Sequence, residues 1–162
     1  MKRLSLTLFI FALTAVVTVA HEPGRDSTTV ELEGAKITIN YGTPTLGDRN
    51  LDQMIVPGKV WRMGMNAATT LETSVALDFG GKLLDPGKYT LLALSDENNN
   101  WLLIVSSSGS ASDAVVKAPM HFARDDANVD ILKMVLGKEG NSTSLSVTWG
   151  HYRLHLIFEK AS

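Results

Sequence analysis

The sequence predicts an all-β fold, an antiparallel β-sandwich in one domain, on three observations. Apolar and polar residues alternate with period two in segment after segment. Gly-, Pro- and Asp/Asn-rich turns separate those segments. Past residue 26 no stretch of eleven or more residues carries a helical stripe. At 162 residues, 44% apolar and 20% charged, the chain has the composition of one packed domain. Alternation fixes strands but not their connections, so jelly-roll-like and immunoglobulin-like topologies both stay open.

The first segment predicts an address label. Lys2 and Arg3 precede an uncharged run, Leu4 to Val19, and Thr18-Val19-Ala20 offers small residues to a signal peptidase. The polar stretch His21 to Asp26 follows. Residues 1–20 therefore read as a cleaved signal peptide, the chain as exported to the periplasm or beyond, and the mature part as lacking a transmembrane segment. Cleavage after Ala20 leaves 142 residues with 13 bases against 17 acids, a net charge of −4. Residues 21–34 read as a linker and possible first strand, and 35–162 as the all-β domain.

Within that domain, Ile37, Ile39 and Tyr41 alternate with polar neighbours, as do Leu71, Thr73, Val75, Leu77 and Phe79. Both series predict strands with one wet face. Gly80-Gly81 predicts a hairpin into Lys82-Leu83-Leu84, and Asp85-Pro86-Gly87 a turn into the next strand. Tyr89 to Leu94 and Trp101 to Val105 are apolar on both faces, as central strands are, with the polar loop Asp96 to Asn100 between them. Asn50 to Ile55 is a short helix candidate; Asp125 to Leu136 reads as a strand centred on Ile131 to Leu136, with a helix begun by Asp125-Asp126 as the alternative. Leu145, Val147 and Trp149, then Tyr152, Leu154, Leu156 and Phe158, alternate on either side of Gly150, which predicts a break or bulge.

Several chemistries are excluded or disfavoured. The absence of cysteine removes disulfides, thiolate nucleophiles and Cys-type zinc sites. A net charge of −2 leaves no basic excess that would point to nucleic acid or an anionic membrane. No Gly-x-Ser-x-Gly elbow is present. Asp126-x-Asn128-x-Asp130 imitates a calcium loop, but Ile131 stands where Gly belongs and Gly137 where Glu belongs. A looser calcium site at Asp125, Asp126 and Asp130 remains conceivable. His151 and His155 share a strand face ~13 Å apart at ~3.3 Å per residue, too far for one ion. Together with Arg153 they read as a solvated stripe. Trp101 and Trp149 fall in register with core neighbours. No metal or cofactor is expected.

One block is distinctive. Ile37-Thr38-Ile39-Asn40-Tyr41-Gly42-Thr43-Pro44 and Arg49 precede Val56-Pro57-Gly58-Lys59-Val60-Trp61-Arg62-Met63-Gly64-Met65-Asn66-Ala67-Ala68-Thr69-Thr70. Gly81-Lys82-Leu83-Leu84-Asp85-Pro86-Gly87-Lys88-Tyr89 and Trp101-Leu102-Leu103-Ile104 follow. Over residues 37–104 the chain resembles the exported bacterial family of domain of unknown function 2911 (DUF2911). The resemblance implies a secreted or periplasmic β-rich domain and no assigned activity. Against that pattern, the residue usual between the Pro and the Gly is missing between Pro57 and Gly58. The acid usual after the Asn is here Ala67.

The candidate ligand-binding residues are Arg49, Trp61, Arg62, Asn66 and Thr69. Two guanidiniums, an amide and the N–H groups beside glycines suit a carboxylate, sulfate or phosphate. The same residues also suit the humbler task of pinning loop carbonyls. The expected function is a non-catalytic envelope domain that binds a small polar or anionic ligand, or a protein partner. The alternative is an envelope hydrolase whose His and Asp residues the fold assembles, although no catalytic residue can be named. The sequence leaves the oligomeric state open.

Overall fold

The computed structural model describes residues 24–162, so the expected signal peptide lies outside the described residues. The elements are β1 (Arg25–Leu32), β2 (Ala35–Gly42), α1 (Leu51–Met54), β3 (Thr70–Thr73), β4 (Leu77–Asp78), β5 (Leu83–Leu84), β6 (Gly87–Ser95), β7 (Trp101–Ser106), β8 (Ala114–Glu139) and β9 (Ser142–Lys160). All strand pairs are antiparallel, and they join into one nine-stranded sheet in the order β1-β2-β3-β6-β7-β8-β9-β4-β5. Among the described residues no helix is long and apolar enough to cross a membrane.

Two layers are cut from this one sheet because its longest hairpin bends. Between Arg124 and Lys133, β8 advances nine positions while β9 covers only four, Tyr152 to Thr148. Most of the surplus on β8, residues 125–128, is exposed as a bulge, whereas Leu132 turns back into the core. Opposite it, β9 turns at Gly150, whose φ of +53° suits glycine, and where an added Cβ would meet Leu51 Cδ1 at 2.7 Å. The buried set shifts phase there, from Leu145, Val147 and Trp149 to Tyr152, Leu154, Leu156 and Phe158. Ser146 Oγ then reaches His155 Nδ1 at 3.1 Å, although nine residues of straight strand would span ~30 Å. The far half of the hairpin consequently lies over β1 and β2. Leu136 N donates to Thr28 Oγ1 at 2.9 Å, and Tyr41 OH to the Met134 carbonyl at 3.3 Å.

The core follows the alternation closely: Ile37, Ile39, Tyr41, Leu71, Leu91, Leu103, Met134, Val147 and Leu154 all belong to one buried cluster. One expected strand divides. Leu71 to Phe79 reads as a single run, but the Thr73 hydroxyl donates to the Val75 carbonyl at 2.7 Å and accepts from Val75 N at 3.3 Å. That local turn ends β3, and the chain crosses to the far edge, where β4 pairs with β5 and β9. Period two survives the crossing because Leu71 and Leu77 both face the core.

Candidate functional site

The site is built on the irregular loop between α1 and β3. Only Gly87 to Thr90 of β6 pairs with β3. Beyond it, the loop serves as the missing neighbour: Gly58 N donates to Ser95 O at 2.8 Å, Trp61 and Ala93 exchange hydrogen bonds at 2.8 and 2.9 Å, and Leu91 N donates to Thr69 O at 2.9 Å. Edge backbone that would otherwise face water is thereby satisfied. Two glycines let the loop settle onto β2. A Cβ on Gly42 would collide with the Met65 carbonyl and amide, and one on Gly64 would lie 2.8 Å from Thr69 Oγ1.

This seating bends the backbone. Met63 and Asn66 take left-handed φ values of +54° and +59°, and Met63 is fully buried. A buried non-glycine residue in that region costs about 1 kcal/mol or more and persists only where its surroundings hold it. Thr69 supplies part of the hold. Its hydroxyl, itself buried, donates to the Met63 carbonyl at 2.8 Å.

Arg49, Trp61 and Arg62, three of the five sequence candidates, meet at one groove of about 350 Å³. Its remaining wall includes Lys59, Met54, Val56, Val60, Met65 and Trp149. Trp61 forms part of the floor, lying parallel to Trp149 (6.1 Å between centroids, 9° between planes) and edge-on to Trp101 (6.2 Å, 81°). Asn66 is exposed and contributes its carbonyl, which accepts from Arg62 Nη2 at 2.8 Å. Thr69 works beneath the loop as the clamp on Met63.

Both arginines are anchored on backbone oxygen. Arg49 Nε donates to Leu46 O at 3.0 Å, and its Nη2 donates to Thr45 O. Arg62 commits one nitrogen. Each guanidinium has five N–H donors, so most remain available after anchoring. Among the described residues, Arg49, Lys59 and Arg62 enter no ion pair with a carboxylate. Among the described residues the groove's lining contains no Asp or Glu.

A second groove, of about 360 Å³, lies on the other side of Arg49. It is lined by Asp48, Asp52, Arg124, Asn128, His151 and Tyr152, among others. Two of its charges, Asp52 and Arg124, pair with each other. Asp52, placed by the Asn50-capped α1, accepts from Arg124 Nη2 at 2.6 Å and from the Tyr152 hydroxyl. The Arg124 guanidinium also sits 5.0 Å from the Tyr152 ring centre and 5.8 Å from that of Phe122. Hydrogen bonds from Arg124 and then Tyr152 hold the Asp52 carboxyl below its ordinary pKa. Burial, reinforced by Asp52, pushes the Tyr152 hydroxyl up to about 12. Neither group is poised for proton transfer near neutrality.

The remaining candidates do not converge. His151 Nδ1 contacts the Asp125 carbonyl at 2.8 Å, whereas His155 turns to Ser146 and, at 3.4 Å, to Glu139. Asp125 engages Arg153 at 3.2 Å, and Asp130 accepts from Gly47 N at 2.8 Å. Among the described residues no three His, Asp or Glu side chains gather as a metal site. Lys59 and the apolar wall escaped the sequence reading. Val56 and Val60 flank the Pro57-Gly58 turn, but no pattern in the sequence marks them as sharing a concavity with the arginines.

With this geometry in place, comparison with known families decides the assignment: the model of a protein family of unknown function, DUF2911, matches residues 23–158. The chain belongs to the DUF2911 family. No curated protein and no solved structure matches it. The DUF2911 match extends well beyond residues 37–104 and takes in β8 and β9, hence both grooves.

Proposed function

We propose that this DUF2911 chain is an exported, non-catalytic binding domain that holds a small anion in the groove of Arg49, Lys59, Trp61 and Arg62. The observation that carries the reading is charge without compensation: three cations line one concavity that contains no acid. Surface cations are common, but here two guanidiniums are fixed by loop carbonyls before any ligand arrives. Preorganisation of that kind removes ordering cost from binding. The backbone strain at Met63 fits the same reading, because strained loops persist where a surface must keep one shape. The leader pattern of residues 1–20 supports placement in the cell envelope.

Calorimetric titration with sulfate, phosphate and acetate at low ionic strength tests the binding. Saturable binding of at least one anion is expected, weakened about tenfold or more by Arg62→Ala, because a charge-assisted hydrogen bond contributes about 1.5–3 kcal/mol. Unchanged affinity in a folded Arg62→Ala variant would remove the site from this groove. Mass spectrometry of the protein from envelope fractions tests export; an N-terminus at His21 is expected and an intact Met1 would contradict it.

A further inference from the structure

We infer that the anion is the head of an amphiphile, a free single-chain alkyl carboxylate whose tail lies along Met54, Val56, Val60 and Met65. The inference rests on the anion-binding reading and adds to it from an independent observation. Nine large apolar side chains are exposed among the described residues, and four of them, at 36–45% exposure, line this groove. Scattered exposed apolar residues require no explanation, but a concave cluster next to fixed cations does. Met54 ends α1 and the other three come from the loop that follows it, so the wall is a local construction of the chain.

Charge complementarity selects the occupant. An inorganic anion would satisfy the arginines and leave the apolar wall in water. An uncharged hydrocarbon would cover the wall and leave the cations unanswered. A carboxylate with an unbranched tail uses both. The two methionines suit such a tail, since a flexible, polarizable thioether conforms to a chain without demanding one shape. The groove's volume of about 350 Å³ falls within the range of roughly 300–1,000 Å³ typical of small-molecule sites. Beyond Arg62 the surface continues into a second hollow lined by Val60, Leu92, Thr90 and the Ser108–Ser112 segment, which gives a longer tail somewhere to run.

The test is a calorimetric series of acetate, butanoate, hexanoate and octanoate at fixed ionic strength, with octanol as the uncharged control. Each added methylene should tighten binding by up to about fourfold, the equivalent of about 0.8 kcal/mol for full burial. Octanoate should bind at least tenfold tighter than acetate and tenfold tighter than octanol. Val60→Ser with Met65→Gln, both at exposed positions, should flatten the chain-length trend, lowering octanoate affinity by a larger factor than acetate affinity. Equal affinity for acetate and octanoate would overturn the amphiphile and leave the anion site standing. Octanol binding as tightly as octanoate would overturn it from the other side. Absence of binding by every carboxylate and by sulfate and phosphate would end both readings. Binding to vesicles of anionic phospholipid without binding to free octanoate would assign the groove to a membrane surface and overturn the free-carboxylate proposal.

Discussion

Arg49 stands between two grooves of nearly equal volume and opposite character. On one side Asp52, Arg124 and Tyr152 satisfy each other, so the polar groups are spent on holding α1 against the bend of β8 and β9. On the other side Arg49, Lys59 and Arg62 face a cavity with no acid to answer them. A larger number of titratable residues converges in the first groove, yet the second has the unspent chemistry. Convergence alone does not mark a binding site; what matters is how much interaction capacity remains after the fold has taken its share.

The largest effect is expected at the glycine beneath the cationic groove. Gly42→Ala drives a methyl into the Met65 backbone, which cannot yield as a flexible side chain does. A loss of about 3 kcal/mol is expected, visible in chemical denaturation, together with loss of anion binding. A wild-type-like midpoint would show that the loop is not seated as described.

Next in size is the contrast between arginines. Arg62→Ala should reduce anion affinity tenfold or more with little change in melting temperature. Arg124→Ala should do the reverse, leaving affinity within twofold and destabilising by about 1 kcal/mol, since its pair with Asp52 is half exposed. Both effects are read by calorimetry and thermal melting on the same samples.

Acid sharpens the comparison further. The folded Asp52 carboxyl titrates below its ordinary value of 3.8, chiefly because Arg124 and Tyr152 donate to it. A depressed carboxyl contributes stability that is present above the unfolded pKa and is lost as pH falls through the folded one. Wild-type protein should therefore lose more melting temperature below pH 3.8 than Asp52→Asn, with the two curves parallel above pH 5. Smallest of all, Asp125→Ala should leave the melting temperature essentially unchanged, because its partner Arg153 also has the carbonyls of Gly150 and Ala127.

Which face each strand buries was legible wherever period two held. Ile37, Ile39 and Tyr41, the doubly apolar Tyr89 to Leu94 and Trp101 to Val105, and the Gly80-Gly81 hairpin all appear where alternation and turn chemistry place them. Leu71 to Phe79 misled because alternation records which face is buried and is blind to a strand changing sheet edges. The bend at Gly150 was visible as a glycine between two phases, but its doubling back was not, since that depends on surplus residues in β8. In the site, Arg49, Trp61 and Arg62 stood out by residue type. The Asp52–Arg124 pair joins residues 72 apart in sequence and left no local trace. Lys59 and the Val/Met wall were hidden for another reason: nothing in a loop's sequence tells which side chains share a concavity.

The most direct measurement is a crystal structure of the complex with an alkyl carboxylate carrying a terminal bromine, located by anomalous scattering. The carboxylate should lie within hydrogen-bond reach of Arg49 or Arg62, with the bromine against Met54, Val60 or Met65. A bromine bound instead in the Asp52–Arg124–Tyr152 groove, or none bound in a crystal that leaves the cationic groove open, would contradict the account.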